Sequence, residues 1–109
     1  MLSVVLATYN EEKNLARCLR AIKDLEDEII IVDGSSSDQT RAIAHSFAAK
    51  VIVTTNKANF HINKQMAMNQ ARQPLVLQLD ADEVVDAQLK KFIQKIAATL
   101  AKKEPLKPV

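Results

Sequence analysis

Four short apolar runs alternate along the chain with longer segments of helical periodicity, and this alternation restricts the fold more than any other feature. The runs occupy residues 3–8, 28–32, 51–53 and 75–79. The second run, Glu-Ile-Ile-Ile-Val, is almost continuously apolar, as expected of a strand covered on both faces of a parallel sheet. We therefore predict an α/β fold with an open, mostly parallel sheet of four strands flanked by helices.

The first two helical segments carry end signals. The first repeats apolar residues at helical spacing, which gives it one apolar face (Leu15, Cys18, Leu19 and Ile22). We expect Asn10 to cap this helix, with Glu11 and Glu12 in its first turn. Ser36 and Gln39 match a capping box, which predicts a second helix with three residues facing inward (Ile43, Ala44 and Phe47).

Two further helices follow from the same spacing rule. A third helix is expected over residues 62–71, with Ile62 and Met66 facing inward. Asp86 can cap a fourth helix over residues 87–101, whose apolar residues share one face (Leu89, Phe92, Ile93, Ile96 and Leu100). Residues 102–109 carry two prolines and are expected to form a flexible tail.

Composition argues against several classes of protein. The net charge of +2, the aromatic content of 4% and the lack of tryptophan give no sign of nucleic-acid binding. The apolar runs are strand-sized and the first residues lack a basic segment, so neither a transmembrane helix nor a secretory signal is expected. Cys18 is the only cysteine, which excludes an intrachain disulfide and fits a reducing cytoplasm. A cluster of lysines could contact an anionic membrane or form a solvated helix face (Lys90, Lys91, Lys95, Lys102 and Lys103).

Polar clusters follow three of the predicted strands, where parallel sheets bind their ligands. Residues 8–12 follow the first strand, Asp33 follows the second, and Asp80 and Asp82 follow the fourth. Gly34 is the only glycine, which excludes a Gly-x-Gly-x-x-Gly dinucleotide loop and a Walker A loop. A phosphate ligand would then need a metal, and two carboxylates one residue apart can share a hard divalent cation. A solvated acidic turn is the alternative interpretation of this pair.

Three motifs in register, at residues 4–12, 30–40 and 77–83, together resemble the family 2 glycosyltransferases with the GT-A fold. The Asn-Glu-Glu-Lys-Asn and Leu-Asp-Ala-Asp-Glu segments are most similar to the bacterial branch related to lipopolysaccharide-core β-1,4-glucosyltransferases. The resemblance implies a Rossmann-type sheet. Family members continue through further strands after the acidic pair, so we expect a GT-A fold truncated after the fourth strand and its helix. Residues 1–101 would be its donor-binding half.

The resemblance implies a nucleobase site beside the first two strands. Thr8 and Tyr9 would line it, with Tyr9 stacked on the base. The loop that follows would bind substrate as well (Asn10 and Glu12, with Glu11 as an alternative to Glu12). Asp33 would accept a hydrogen bond from a ring N–H of uracil or guanine. The structural alternatives are that Tyr9 covers the sheet end and that Asp33 caps the serine-rich turn.

The resemblance also implies a phosphate side to the site. Asp80 would lie near the ribose and the metal, and Asp82 would ligate Mg²⁺ or Mn²⁺ at the diphosphate. Lys64 would face the nucleotide, a solvated helix lysine being the alternative. No residue matches the family's catalytic base, so the catalytic residue stays unknown, and neither Glu83 nor Asp86 is assigned that role.

The expected function is transfer of a sugar from a nucleoside diphosphate sugar, with uridine diphosphate as the expected carrier. The acceptor would be a saccharide or lipid-linked glycan in cell-envelope polysaccharide or lipopolysaccharide synthesis. The alternative is a nucleotide-sugar-binding module without catalysis, because the acceptor half is missing. A haloacid-dehalogenase-like phosphatase fits less well, since its acidic pair follows the first strand. We also expect a cytoplasmic protein, peripheral at the inner face of the membrane in a full-length form. We expect a homo-oligomer, in which copies of the chain associate through the sheet edge at residues 75–79 or through the last helix.

Overall fold

The computed structural model describes residues 1–55 and 59–103. Strands and helices alternate as predicted, and the α/β class with a parallel sheet is confirmed. The strands are β1 (Leu2–Thr8), β2 (Glu28–Asp33), β3 (Lys50–Val53) and β4 (Leu75–Leu79). The helices are α1 (Leu15–Ala21), α2 (Thr40–Ser46), α3 (Phe60–Asn69) and α4 (Ala87–Lys103). Residues 102 and 103 of the predicted tail belong to α4, and residues 104–109 lie outside the described residues.

The strands form one parallel sheet in the order β3-β2-β1-β4. β1 lies in the interior of the sheet, and all seven of its residues are buried. Its last residue, Thr8, pairs with Asp33 of β2, while Leu6 pairs with Leu79 of β4. The residues that follow β4 therefore start beside the end of β1. β4 itself is an edge strand, as expected, and the polar clusters after β1, β2 and β4 meet at one side of the sheet.

Alternate residues of the central strands build two apolar layers. On one face, Val4 and Leu6 pack with α1, whose predicted inward residues are all fully buried (Leu15, Cys18, Leu19 and Ile22). On the other face, Val5 and Ile30 pack against Ala67 of α3. Full burial of a large aliphatic side chain contributes about 1.5–3 kcal/mol. Both layers anchor β1 and β2, so the loops at their carboxyl ends start from fixed points.

The start of α1 differs from the prediction. The helix begins at Leu15, so Asn10 is not its cap, and Glu11 and Glu12 precede its first turn. Asn10 has a left-handed backbone with a φ of 54°, and its side-chain oxygen accepts the N–H of Ser37 at 2.8 Å. The prediction was wrong because the Asn10 side chain bonds Ser37, in the loop after β2, instead of an N–H group of α1.

The capping box predicted for α2 is wrong for a similar reason. α2 begins at Thr40, and Gln39 makes no side-chain cap bond. The Ser36 hydroxyl instead donates to Asp33, and the Asp38 carboxylate accepts the N–H of Thr40 at 2.9 Å. The residues predicted to face inward do so (Ala44 buried, Ile43 and Phe47 partly buried).

α3 turns a different face to the core than the one predicted. Ile62 is 45% exposed, whereas Asn63 and Ala67 are fully buried and Met66 is partly buried in the second layer. The prediction was therefore wrong for Ile62 and correct for Met66. Apolar periodicity favoured the larger side chain, but the close approach of α3 to β1 and β2 favours alanine and a hydrogen-bonded asparagine.

α4 begins as predicted and carries an apolar face that is only partly buried. The Asp86 carboxylate accepts the N–H of Leu89 at 2.7 Å, which is the expected helix cap. Ile93 is buried in the first layer, while Phe92 is 60% exposed. Within residues 1–55 and 59–103, none of the helices combines the length and apolar character that crossing a membrane requires.

Candidate functional site

Two loops meet beyond the carboxyl ends of β1 and β2. The first loop (residues 9–14) follows β1, and the second loop (residues 34–39) follows β2. The N–H of Asn10 donates to Ser36 Oγ at 2.8 Å, and Asn10 Oδ1 accepts the N–H of Ser37 at 2.8 Å. Asn10 is thus bonded to the second loop through both its backbone and its side chain.

The acidic part of the first loop is joined to the start of α2. The N–H of Glu11 donates to Thr40 Oγ1 at 2.8 Å, and the N–H of Glu12 donates to Asp38 Oδ2 at 3.2 Å. Glu12 Oε1 accepts the N–H of Gln39 at 3.0 Å. Partial burial raises the pKa of Asp38, but hydrogen bonds from the Thr40 hydroxyl and from the Thr40 and Glu12 N–H groups hold it below its usual value. The two loops therefore behave as one hydrogen-bonded unit.

Asp33 is the most enclosed carboxylate of this region. Its side chain is fully buried, and Oδ1 accepts the hydroxyl groups of Thr8 at 2.8 Å and Ser36 at 2.6 Å. Its Oδ2 accepts the N–H of Ser36 at 2.8 Å and lies 3.9 Å from Nε of Arg41. These bonds fill three of the roughly four acceptor positions of a carboxylate. Asp33 therefore links the end of β1 to the second loop.

Asp80 lies directly after β4, and its backbone is held in place. Its N–H donates to Glu83 Oε1 at 2.7 Å, and its carbonyl oxygen accepts the N–H of Glu83 at 2.9 Å. Its carboxylate is half exposed, and Oδ1 lies 2.9 Å from Nζ of Lys64 on α3. The ion pair joins the end of β4 to α3, although 16 positions separate the two residues in the chain.

A cavity of about 220 Å³ opens between the end of β1, α3 and the residues after β4, and it is the centre of the candidate site. Its lining contains three carboxylates and one ammonium group, which gives a formal charge of −2 (Ala7, Glu11, Phe60, Lys64, Asp80, Ala81 and Asp82). Asp82 is exposed at this cavity. The arrangement favours a cationic ligand, or an anionic ligand that brings a cation with it.

The carboxylates of the acidic cavity affect the pKa of a nearby buried thiol. Cys18 of α1 is fully buried, and Sγ lies 3.7 Å from the carbonyl oxygen of Asp80. Burial, followed by the negative charges of nearby carboxylates, raises the pKa of this thiol to about 11 (Glu83, Asp82, Asp80 and Glu11). Cys18 is therefore a protonated core residue, as its place on the apolar face of α1 predicted.

Asp80 and Asp82 could supply oxygen ligands for a divalent cation. Among the residues that the structure describes, no three side chains of His, Cys, Asp or Glu are grouped as a metal cluster. A cation held by one or two carboxylates, and otherwise by water and phosphate oxygens, is the usual mode of Mg²⁺ binding. The two carboxylates therefore fit Mg²⁺ or Mn²⁺ bound together with a phosphate ligand, and they do not fit a closed structural metal site.

Seven of the eight predicted site residues fall into two groups. The cavity brings together three of them (Lys64, Asp80 and Asp82). Four others belong to the network of the two loops (Thr8, Asn10, Glu12 and Asp33). Tyr9, partly buried, follows Thr8 at the end of β1. Sequence reasoning missed Phe60 as a lining residue and Glu83 as the group that holds Asp80; Glu83 carried a signal, because it lies three residues after Asp80.

Comparison with protein families and known sequences gives consistent results. The model of glycosyl transferase family 2 matches residues 3–102. An uncharacterized glycosyltransferase of Rickettsia typhi is 36% identical over 98 residues, which cover 90% of this chain and 33% of the relative. The lipopolysaccharide core biosynthesis glycosyltransferase LpsC of Rhizobium meliloti is 30% identical over 101 residues, covering 89% of this chain and 37% of LpsC. The chain thus spans about a third of the length of these relatives.

Solved structures share the fold. S. aureus TarS (residues 1–349), in complex with UDP, superimposes with a TM-score of 0.78 at 26% identity, covering 93% of this chain and 32% of TarS. Glucosyl-3-phosphoglycerate synthase from Mycobacterium tuberculosis, solved with Mn²⁺, UDP and glucosyl-3-phosphoglycerate, has a TM-score of 0.61 at 21% identity. That alignment covers 92% of this chain and 39% of the synthase, and it supports the fold alone.

Proposed function

The chain belongs to glycosyl transferase family 2, and on that premise we propose that it binds the nucleoside diphosphate sugar of a glycosyl transfer, with UDP as the nucleotide. The observation that carries this proposal is the cavity beyond β1 and β4, where Lys64, Asp80 and Asp82 converge. Ligands of parallel sheets bind at this side of the strands. The UDP complex of TarS, a protein 26% identical to this chain, supports the choice of nucleotide.

The diphosphate would be bound with a divalent cation, Mg²⁺ or Mn²⁺, held by Asp80 and Asp82. The chain has a single glycine, so several backbone N–H groups of a glycine-rich loop are not available to hold phosphate. A divalent cation balances the formal charge of −2 that the cavity lining carries. When bound, it neutralises charge on the diphosphate, which is the leaving group of the transfer.

The nucleobase would lie over the two joined loops. Tyr9 would stack on the base, beside Thr8. Asp33 would accept the N3–H of uracil through its remaining acceptor position once ligand binding uncovers this side chain, which is fully buried and already accepts three hydrogen bonds. Asn10 and Glu12 would act by holding the first loop in place through their bonds to the second loop.

The whole reaction would transfer the sugar to a saccharide or lipid-linked acceptor in cell-envelope polysaccharide or lipopolysaccharide synthesis. The name of LpsC, a lipopolysaccharide core glycosyltransferase, supports this placement. We propose a cytoplasmic location for this chemistry, peripheral at the inner face of the membrane. We further propose that the chain forms a homo-oligomer, because β4 is an edge strand with exposed Val76 and α4 exposes Phe92.

A second candidate function is donor binding without transfer. The carboxylates of the cavity, among the described residues, are Glu11, Asp80 and Asp82. Two are assigned to the metal, and Glu11 Oε1 already accepts a hydrogen bond from the Asn14 amide at 3.3 Å. Only Glu11 then keeps open acceptor positions, and the second candidate holds if this carboxylate does not take a proton from an acceptor hydroxyl. Sugar transfer by this chain to an acceptor, abolished in Asp82→Ala, would rule out this second candidate.

Calorimetry with UDP tests the primary proposal. We expect binding in the presence of Mg²⁺ or Mn²⁺ and little binding when a chelator is added. Asp82→Asn should weaken the metal-dependent binding, because it removes a ligand charge and preserves the shape. Asp24→Asn is the matched control, since Asp24 is exposed in the turn after α1 and its backbone, with a φ of 72°, suits asparagine. Equal UDP affinity with and without metal would contradict the proposed role of the metal.

A further inference from the structure

Lys64 and Asp80 form an ion pair at the centre of the candidate site. Nζ of Lys64 lies 2.9 Å from Oδ1 of Asp80, and the side chains are 32% and 50% exposed. Both residues line the 220 Å³ cavity together with Asp82 and Glu11. The ammonium group therefore binds Oδ1, an oxygen that a cation held by Asp80 could also use.

The two partners differ in freedom of movement. The backbone of Asp80 is bonded to Glu83 in both directions, at 2.7 and 2.9 Å, which fixes the origin of its carboxylate. The ammonium of Lys64 is carried on a flexible four-carbon stem from α3, whose buried residues flank it in the chain (Asn63 and Ala67). A competitor for Asp80 would therefore displace the ammonium and leave the carboxylate in position.

Charge decides when such displacement occurs. Without a metal, Lys64 offsets one of three carboxylates in the cavity, and its removal would leave them mutually repulsive. A divalent cation on Asp80 repels the ammonium, and a diphosphate brought by that cation attracts it. Each state thus offers Lys64 a different counter-ion within the same cavity.

We propose that Lys64 is an exchangeable counter-ion, which holds Asp80 in the empty site and transfers to the diphosphate when a divalent cation takes that carboxylate. This role rests on the proposed function. It makes Lys64 a positioning residue for the metal site as well as a contact of the ligand. Removal of the ammonium group should therefore strengthen metal binding and weaken nucleotide binding.

The first test measures Mn²⁺ binding without nucleotide, by calorimetry and by the electron paramagnetic resonance signal of free Mn²⁺. Lys64→Met should bind Mn²⁺ about 3-fold to 10-fold more tightly than wild type, because the competing cation is gone. Lys64→Arg should stay within about 2-fold of wild type, because it preserves the charge. Lys50→Met is the control: Lys50 is exposed at the start of β3, at the opposite end of the sheet, where it bonds Gln70 at 3.1 Å.

The second test measures UDP binding at saturating Mn²⁺. Lys64→Met should bind UDP about 3-fold to 10-fold more weakly, with Lys64→Arg restoring most of the affinity. Tighter Mn²⁺ binding with weaker UDP binding is a pair of changes that damage to the fold would not produce, since misfolding would weaken both.

The outcomes separate this inference from the proposed function. UDP binding by wild type, with Mn²⁺ affinity in Lys64→Met equal to or below that of wild type, would overturn the exchange role and leave the proposed function intact. The exchange role is overturned in the same way if neither wild type nor Lys64→Met binds Mn²⁺ alone. If wild type fails to bind UDP at saturating Mn²⁺, the proposed function fails and the second step of the exchange fails with it.

Discussion

Asp33→Asn removes the charge from the carboxylate that links β1 to the second loop while preserving its shape. The side chain is fully buried and accepts the Thr8 hydroxyl at 2.8 Å, the Ser36 hydroxyl at 2.6 Å and the Ser36 N–H at 2.8 Å. Asparagine replaces one acceptor oxygen with a donating NH₂ group. If the amide oxygen keeps the bond to the Ser36 N–H, the NH₂ group faces the hydroxyl groups of Thr8 and Ser36, which lose the acceptor for their own protons.

The expected loss of stability follows from these contacts. A hydrogen bond to a charged group is worth about 1.5–3 kcal/mol, and the bonds that persist fall to about 0.5–1.5 kcal/mol once the acceptor is neutral. Arg41 is 3.9 Å away and 44% exposed, so its pairing with Asp33 adds less than about 1 kcal/mol. We expect Asp33→Asn to destabilise the chain by about 2–4 kcal/mol, a large share of the roughly 5–15 kcal/mol typical of a domain.

Urea denaturation followed by circular dichroism measures this change. Asp24→Asn, which removes the same charge from an exposed turn, should stay within about 0.5 kcal/mol of wild type. Thr8→Val, which removes one of the three donors, should fall between the two. If the free energy of unfolding of Asp33→Asn lies within about 0.5 kcal/mol of that of wild type, the buried network does not hold the two loops together.

Three further predictions concern the base, acid stability and association. In folded Asp33→Asn, the preference for UDP over CDP should narrow, because the carboxylate can accept the N3–H of uracil and cytosine has no matching donor; competition binding measures this, and equal affinities in wild type contradict it. The hydroxyl of Ser3, more than the N–H of Arg72, holds the pKa of Glu28 below its ordinary value of 4.5 against a smaller opposing effect of burial. Such a depressed pKa gives stability that is present above the unfolded value and is lost as pH falls through the folded one. The stability deficit of Glu28→Gln should therefore be larger at pH 7 than in acid, and urea midpoints that differ equally at both pH values would contradict this. Light scattering should show a dimer or higher oligomer at high micromolar concentration, weakened by Val76→Lys on β4, whereas a stable monomer would exclude the association.

The sequence alone determined the strands, the class of fold and the general place of the candidate site. Continuous apolar runs such as residues 28–32 are stable only when both faces are covered, so they had to become buried strands. All four residues of the apolar face of α1 were predicted correctly, because each is of a type that is commonly buried in protein cores. Asp33 and the pair Asp80 and Asp82 follow such runs directly, which placed them at strand ends before any tertiary contact was known.

Tertiary structure decided which of these residues meet and which face each helix buries. The strand order places β4 beside β1, and this neighbourhood brings Asp80 to Lys64 on α3, 16 positions away in the chain. Asn10 bonds Ser37, 27 positions away, rather than capping α1. Asn63 replaces Ile62 on the buried face of α3. Local rules weigh only the nearest few residues, whereas a buried polar group takes the partner that the packed fold brings within reach, because leaving it unbonded costs about 1–3 kcal/mol.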